Sequence, residues 1–531
     1  MVKKTSVLIV GGGPIGITTS ALLSQYGIDS IMVDKRPDLS NHPRARFYDS
    51  TTLEIFRQLG VADDVEETGL GAAWTQYNRA FINLKAGPIA SIYAREFFSI
   101  DRKITPQKPV MTCQDLLEPI LFKAAKGFEL GQHYFSSEVV DLKQDDNGCY
   151  AVIRNLDTGE LSEVEADYVI GSDGARSYVR DVIGAELEGE VRERWYRDVL
   201  FDADLSPYVR DNIGGLLYVH GPAGVGVFQP LDGKRRWRCQ IGSPVKDCDI
   251  SEAFLDRYIR DTVGAGDELE LNITSVLVWQ MTARTANKFG EGRMFLLGDA
   301  ANVFTPTGGM GMNCGFAGMY NLLWKLAYVV KGIAPASILS TYEEEYHPQA
   351  VRRVKQCMKN ANALAGIYRA KKQGDDLDEA CRNCYQYASY TGIDFGYELS
   401  SSLLLQDSDA VPHVKDDDLD YIPVVRSGRR APHIWIDESA NQSIFDWFGI
   451  DYVVALGKGA EIAEWRKAVE SLQARGFPIR VEMLPEQAFT PYELEKVVLI
   501  RPDRIVAAHW RHIEAPALEL LEQSLPLMDG G

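Results

Sequence analysis

The sequence has little of what marks secreted, membrane-spanning or nucleic-acid-binding proteins. It contains only eight cysteines in 531 residues, without a dense framework, which favours reduced thiols over a disulfide-stapled secreted fold. No uninterrupted apolar run is long enough to span a bilayer. The 75 acidic residues outnumber the 56 basic ones, and the formal net charge of −19 opposes binding to nucleic acid or to an anionic membrane. These absences predict a cytoplasmic globular protein.

What is present is ordinary for an enzyme. The chain is 45% hydrophobic and 25% charged, which predicts a packed core. Its length suggests roughly two to four domains, some of them discontinuous. Because the overall charge is negative, an anionic cofactor would have to be held by helix N-termini and individual arginines.

The beginning of the chain carries the pattern of a strand, a turn, a helix and a second strand. Residues 5–10 form a continuous apolar run with β-branched side chains, which predicts a buried strand. Residues 15–26 suit a helix that ends at Gly27, and residues 29–34 predict a second strand. The order predicts a βαβ unit.

Three glycines, Gly11, Gly13 and Gly16, occupy the turn of this unit in the spacing G-x-G-x-x-G. Gly11 would permit the tight turn, Gly13 would let the backbone approach a pyrophosphate, and Gly16 would let helix and strand pack closely. Asp34 ends the second strand, where it would accept the ribose hydroxyls of a dinucleotide. The alternative, a glycine-rich turn that binds nothing, leaves the position of Asp34 unexplained.

Two later apolar runs each end in a closely spaced glycine and aspartate. Residues 167–174 deliver Asp173 and residues 293–300 deliver Asp299, as parallel strands do at their carboxyl ends. Between them, residues 185–279 hold alternating, aromatic-rich segments. These segments predict an inserted antiparallel sheet and a candidate substrate wall.

Three ordered motifs carry a family resemblance. The segment VGGGPIG begins at Val10, IGSDGARSYVR begins at Ile170, and GDAANVFTPTGGMGMNCG begins at Gly298. Together they resemble the fingerprints of the class A flavoprotein aromatic hydroxylases, the family that contains para-hydroxybenzoate hydroxylase and the phenol and polyketide monooxygenases. The resemblance spans nearly the whole chain and implies FAD as cofactor, with NAD(P)H as a transient co-substrate.

The resemblance also implies roles for individual residues. Asp299 would bind the ribityl chain of FAD, and Asp173 would shape the groove where FAD and the nicotinamide nucleotide meet. Arg44 resembles the arginine beside the FAD pyrophosphate, and Gln114 resembles the glutamine that contacts the FAD chain. For Arg44 the alternative is a solvated surface arginine, although a guanidinium suits phosphate well.

A glycine-rich segment would pass beneath the flavin ring. The resemblance assigns it Pro306, Gly309, Gly311, Met312 and Asn313. A helical pattern continues from Asn313 to about residue 370. The amides and positive dipole end of that helix could stabilise the anionic reduced flavin near its pyrimidine ring.

The resemblance and the order of elements predict an α/β fold with a Rossmann-type FAD-binding domain, an inserted antiparallel-sheet substrate domain and a C-terminal thioredoxin-like domain. The tail carries GRRAPHIW from Gly428, which matches the entry of that last domain, and it contains no CxxC. The predicted boundaries are residues 1–74, 106–184 and 275–400 for the FAD-binding domain, 75–105 and 185–274 for the substrate domain, 401–425 for a linker, and 426–531 for the C-terminal domain.

The activity implied by the resemblance is hydroxylation of an aromatic small molecule, phenolic or polycyclic. NAD(P)H would reduce the flavin, O2 would add to it, and the resulting flavin hydroperoxide would transfer a hydroxyl group to the ring. An FAD-dependent oxidase or dehydrogenase without oxygen transfer is the alternative enzyme class. A flavin-containing binding protein without turnover is the third possibility, because a fold alone does not determine function.

The substrate wall offers only candidates. Tyr218 and His220 share one face of a predicted strand, as do Trp237 and Cys239. Tyr218, His220 and Trp237 could line a pocket for a flat, largely apolar ligand, but ordinary core aromatics and a satisfied or exposed histidine explain them equally well. No residue is assigned as the catalytic base.

The sequence predicts no metal site. Cys381 and Cys384 lack a second cysteine pair, and His509 and His512 lack nearby partners for a metal. A homodimer is compatible with the resemblance, and a monomer with a docked C-terminal domain fits the residues as well.

Overall fold

The computed structural model describes residues 2–93, 100–221, 224–243, 251–384, 390–405, 414, 418–437, 439–485 and 491–528. The predicted linker lies partly outside the described residues, which leave out 406–413 and 415–417. No helix within the described ranges is long and apolar enough to cross a bilayer.

A mainly parallel sheet carries the predicted βαβ unit. Strand Lys3–Val10 lies in its middle, between Ser30–Val33 and Leu161–Gly171. The last residues of Lys3–Val10 are fully buried, as expected for a parallel strand covered on both faces. The other strands of this sheet are Gly131–Tyr134, Ser137–Gln144, Cys149–Asn155, Gly290–Glu291 and Met294–Leu296.

Helices cover this sheet. The first, Pro14–Gln25, begins with a proline, whose missing N–H costs nothing at that position. The helical pattern predicted after residue 313 proves to be two helices, Met310–Val330 and Thr341–Gln373. They are separate because Gly332 adopts φ +68° and Pro335 follows it. The remaining helices are Ser50–Gln58, Ala62–Glu67, Ala72–Thr75, Gln114–Lys126, Tyr178–Val182, Ser206–Val209, Glu252–Val263, Leu377–Arg382, Thr391–Phe395, Ile462–Ala474 and Ala517–Ser524.

The predicted antiparallel sheet is present, with one parallel pair between Leu216–Gly221 and Tyr77–Phe81. Its strands run in the order Asn302–Val303, Asn272–Ala286, Leu187–Asp202, Arg236–Ser243, Gly224–Pro230, Leu216–Gly221, Tyr77–Phe81 and Pro88–Tyr93. One face of the sheet packs on helix Glu252–Val263 through a separate hydrophobic core. The other face is turned toward the parallel sheet and encloses a cavity with it.

The C-terminal region forms a third sheet, in the order Ile479–Met483, Tyr452–Leu456, Val497–Ile500 and Val506–Trp510. Its core is continuous with that of the parallel-sheet region. Trp324 of helix Met310–Val330 meets Tyr452 edge to face, with ring centroids 5.7 Å apart. The predicted α/β fold with an inserted antiparallel sheet is thereby confirmed.

Candidate functional site

A cavity of about 930 Å³ opens at the carboxyl ends of the central parallel strands. It is bounded by the loop that precedes helix Met310–Val330 and by one face of the antiparallel sheet. Most of the residues that the sequence singled out line it: Gly11, Gly13, Asp34, Arg44, Gln114, Asp173, Asp299, Pro306, Gly309, Gly311 and Met312.

The three glycines of the first turn have different surroundings. Gly11 has φ +106°, and a Cβ on it would lie 2.3 Å from Ser172 O. Gly16 does not line the cavity, and a Cβ there would lie 1.9 Å from Gly11 O. Around Gly13 no protein atom lies within 4 Å of such a Cβ. Gly11 and Gly16 therefore serve packing, whereas Gly13 borders open space in which a ligand can approach the backbone.

Asp34 is held in place by the turn and by a neighbour that sequence reasoning missed. Its carboxylate accepts a hydrogen bond from Gly12 N at 2.6 Å. Arg36 Nε donates to the same carboxylate at 3.1 Å, and Arg36 Nη2 donates to Gly12 O at 2.8 Å. The fixed carboxylate is suited to accept hydrogen bonds from the hydroxyl groups of a sugar.

Arg44 and Asp299 place opposite charges in the cavity. Both side chains are accessible from it. Burial within the protein raises the pKa of Asp299, and the charge of Arg44 opposes that rise. Gln114 supports the loop of Arg44, because its Nε2 donates to Glu118 at 2.7 Å and Ser40 N donates to the same Glu118 at 2.6 Å.

Asp173 lies at the edge of the cavity and contacts the first turn of helix Tyr178–Val182. Its Oδ2 accepts hydrogen bonds from Tyr178 N at 2.7 Å and Val179 N at 3.2 Å. Its Oδ1 is buried and has no hydrogen-bond partner among the described residues. Burial raises the pKa of this carboxyl, and hydrogen bonds from Ser177 and the backbone oppose the rise.

The segment ahead of helix Met310–Val330 forms another wall. Gly309 adopts φ +66°, and a Cβ on it would lie 2.9 Å from Phe47, so only glycine fits. The backbone then enters the helix at Met310, and the first amides of the helix have no partners within it. Tyr390, which sequence reasoning missed, lines the cavity and donates a hydrogen bond to Gly308 O.

Asn313 lies behind this wall and does not line the cavity. Its Oδ1 accepts hydrogen bonds from Asp49 N at 3.0 Å and Thr52 Oγ1 at 2.8 Å. Its Nδ2 donates to Gly309 O at 2.8 Å. In this structure Asn313 therefore fastens the glycine loop to helix Ser50–Gln58.

The polar residues of the antiparallel sheet that line the cavity include Asp198, Gln229, Arg238 and Gln240. Asp198 and Arg238 form a buried ion pair. Arg238 Nη1 also donates to Arg44 O at 2.7 Å, which ties the sheet to the Arg44 loop. We call these four residues the polar wall. Sequence reasoning missed them, although polar residues 236, 238 and 240 alternate with apolar 237, 239 and 241.

The three aromatic or histidine candidates for the pocket do not line the cavity. Trp237 is buried on the opposite face of the sheet, where it meets Trp74 with ring centroids 5.8 Å apart. Tyr218 packs on a hydrophobic cluster at the end of helix Thr341–Gln373. His220 is exposed, and its ring lies 4.6 Å from that of Tyr368.

These features fit a bound FAD molecule. The open space beside Gly13 and the guanidinium of Arg44 suit its pyrophosphate, and the carboxylate of Asp34 suits its ribose. The unpaired amides at the start of helix Met310–Val330 suit a flavin ring that gains negative charge.

Comparison with known proteins agrees with the geometry. Residues 4–357 match the family model described as FAD binding domain, and residues 425–526 match the model described as aromatic-ring hydroxylase, C-terminal. Aklavinone 12-hydroxylase RdmE of Streptomyces purpurascens is 32% identical over 97% of this chain and 96% of its own length. The 4-methyl-5-nitrocatechol 5-monooxygenase of a Burkholderia species is 30% identical over 96% of this chain and 94% of its own.

A solved structure of a flavoprotein has the same fold as this chain. The flavin-dependent monooxygenase PieE, determined in complex with FAD and substrate, superposes with a TM-score of 0.88 at 29% identity. The match covers 98% of both chains.

Proposed function

The chain belongs to the FAD-dependent aromatic-ring hydroxylases, and from that premise we propose that its cavity holds FAD along the glycine motifs and an aromatic substrate against the polar wall. Membership makes it a flavoprotein monooxygenase that uses O2 and NAD(P)H to hydroxylate an aromatic small molecule. The observation that carries the assignment of the site is the convergence of all three predicted motifs on one cavity.

We assign the FAD contacts along this cavity. Asp34 would accept hydrogen bonds from the ribose hydroxyls, and Asp299 would contact the ribityl chain. Gly13 and Arg44 would face the pyrophosphate. The ring would lie on the segment from Pro306 to Met312. Asp173 would border the place where the nicotinamide nucleotide approaches. The support is that each of these residues lines the cavity, whereas Gly16 and Asn313 hold its walls together.

When bound, FAD supplies the activation of O2 and the transfer of one oxygen atom to the ring. The protein provides three other things. The N-terminus of helix Met310–Val330 stabilises negative charge near the flavin. The cavity walls exclude water. The polar wall orients the substrate by hydrogen bonds, which also favour the electron-rich form of a phenol.

We further propose a substrate with at least one oxygen substituent on an aromatic ring, either a single-ring phenol or a polycyclic polyketide-like molecule. The support is the row of charged and amide groups on an otherwise enclosed sheet face. We also propose the division into FAD-binding, substrate and C-terminal domains given above, and a homodimer in solution, which light scattering of the purified protein tests.

The function is tested on the purified holoprotein with a panel of phenols, naphthoquinols and tetracyclic polyketides. The flavin spectrum establishes the cofactor, and the oxidation of NADH and of NADPH is followed with each compound. We expect at least one compound to accelerate NAD(P)H oxidation and to be hydroxylated. Acceleration by no aromatic compound in the panel, in a protein that contains FAD, would count against the proposal.

A further inference from the structure

The polar wall is a hydrogen-bonded chain whose direction is set by Arg238. A guanidinium has donors and no acceptor. Arg238 donates to the Asp198 carboxylate on one side and to Gln229 Oε1 on the other, the latter at 3.4 Å. Because the oxygen of Gln229 is turned toward Arg238, its NH2 group faces the next residue. Gln229 Nε2 donates to Gln240 Oε1 at 3.2 Å.

Gln240 ends this chain. Its oxygen accepts from Gln229, and its Nε2 keeps two N–H donors that have no protein partner among the described residues. The side chain is only 4% exposed, and it lines the cavity. Its Nε2 borders the open cavity, so a molecule bound there can accept a hydrogen bond from it.

The contact with Gln229 opposes reversal of the Gln240 amide group. A reversal would bring its NH2 against the NH2 of Gln229, and Gln229 is itself held by Arg238. The buried ion pair of Arg238 and Asp198 anchors the other end.

We propose that Gln240 Nε2 donates a hydrogen bond to an acceptor oxygen of the substrate, a carbonyl or a deprotonated ring hydroxyl, and selects aromatic rings that carry one. This inference rests on the proposed function of the cavity. Gln240 belongs to the sheet wall, whereas the glycine motifs assigned to FAD lie on the other walls. A flavin carbonyl is a second source of the same chemistry, and the experiment distinguishes the two.

The test measures ligand binding to the holoenzyme without NAD(P)H, from the change in flavin absorbance. Two aromatic ligands of the same shape are compared, a naphthol and the corresponding naphthylamine, which carry no carbonyl and differ only in an oxygen and an amino substituent. The wild type is expected to bind the oxygen ligand more tightly. Gln240→Glu replaces the donor with an acceptor of the same size. The ratio of the two dissociation constants should then move at least about tenfold toward the amino ligand.

A second variant tests the direction of the chain without touching Gln240. Gln229→Glu keeps the acceptor for Arg238 but presents an oxygen to Gln240, whose amide must then reverse and offer its oxygen to the cavity. Gln229→Glu should shift the ligand preference in the same direction as Gln240→Glu. A purely structural role of these residues gives no such shift. Gln523→Glu, an exposed change on helix Ala517–Ser524, is the matched control and should leave the ratio unchanged.

The outcomes separate the alternatives. An equal preference for the two ligands in the wild type, or an unchanged ratio in both variants, would overturn the proposal. A weaker affinity of the apoprotein for FAD with an unchanged ratio would place the donor on the flavin and would overturn the assignment to substrate. Because binding is measured without turnover, a failure to hydroxylate counts against the proposed function alone.

Discussion

Arg430 of the C-terminal region donates a hydrogen bond at 2.5 Å to Glu54, and both side chains are almost fully buried. Arg504 donates to the same carboxylate at 3.4 Å. Thr105 Oγ1 adds a third hydrogen bond at 2.7 Å. The C-terminal region is therefore joined to helix Ser50–Gln58 by a desolvated carboxylate shared between two arginines.

This contact is connected to the cavity wall. Five residues before Glu54, Asp49 caps helix Ser50–Gln58 by accepting a hydrogen bond from Thr52 N at 2.8 Å. Asn313 accepts from Asp49 N and from Thr52 and holds Gly309. The C-terminal region thus supports, through one helix, the loop that we assign to the flavin ring.

Glu54→Gln should destabilise the protein strongly. The substitution leaves Arg430 and Arg504 buried without their counter-charge, which costs about 3–5 kcal/mol of unfolding free energy. Urea unfolding of the holoprotein measures the loss. The matched control is Glu522→Gln, which breaks the partly exposed pair with Arg475 and should cost less than about 1 kcal/mol. Equal losses of unfolding free energy in the two variants would contradict a larger contribution of the buried contact to stability.

A second buried charge cluster should make stability depend on acid pH. Glu345 is buried with Lys325 and Arg501, whose N···O distances to it are 2.8 and 2.7 Å. Burial alone would raise the pKa of Glu345, but the charges of Arg501 and Lys325 outweigh it and hold the pKa below its ordinary value of 4.5. The unfolded chain therefore takes up this proton at a higher pH than the folded protein does.

The sign of the effect follows from this difference. The stability that Glu345 contributes is fully present above the unfolded value of 4.5 and is lost as the pH falls toward the lowered folded pKa. Glu345→Gln should remove that part of the acid dependence and should also cost about 3–5 kcal/mol at neutral pH, because it leaves Arg501 and Lys325 partly uncompensated. Denaturant titrations at a series of pH values measure both. An acid dependence identical to that of the wild type would refute the assignment.

The two glycines Gly13 and Gly16 should respond differently to alanine. A Cβ at position 13 meets no protein atom within 4 Å, whereas one at position 16 lies 1.9 Å from Gly11 O. Gly13→Ala should keep the unfolding free energy of the apoprotein within about 1 kcal/mol and weaken FAD binding at least about tenfold. Gly16→Ala, in contrast, should lower the unfolding free energy of the apoprotein by about 1–3 kcal/mol. If Gly13→Ala bound FAD as tightly as the wild type, the pyrophosphate would lie elsewhere.

Arg44→Ala should weaken FAD binding with little effect on folding. The side chain is exposed to the cavity, and a charge-assisted hydrogen bond to a phosphate is worth about 1.5–3 kcal/mol. Fluorescence titration of the apoprotein with FAD measures the affinity, and the loss should shrink at high salt. Arg154→Ala, an exposed change on strand Cys149–Asn155, is the control and should leave the affinity unchanged.

The cofactor side of the cavity could be predicted from the sequence because its signals are local. Gly11 and Asp34 lie 23 positions apart within one βαβ unit, and the turn chemistry of such a unit demands glycine at one end and an acid at the other. The motif around Asp299 is local in the same sense. The division of the later helical pattern into two helices was missed because it depends on a single glycine and proline at a turn.

The substrate wall could not be predicted in the same way. A strand with period two has two faces, and along strand Arg236–Ser243 both are turned inward, one onto helix Glu252–Val263 and the other toward the cavity. The sequence suggested that the face with Trp237 lines the pocket. That face instead packs on helix Glu252–Val263, and the opposite face, which carries Arg238, lines the cavity. The contact of Glu54 with Arg430 joins residues 376 positions apart, and no local pattern indicates it.

The most direct measurement follows oxygen itself. The holoprotein is supplied with NAD(P)H, isotopically labelled O2 and the aromatic compound that most accelerates NAD(P)H oxidation, and the product is analysed by mass spectrometry. We predict one labelled oxygen atom in the hydroxylated product. A product that is oxidised without any label, formed at a rate that matches NAD(P)H consumption, would contradict it.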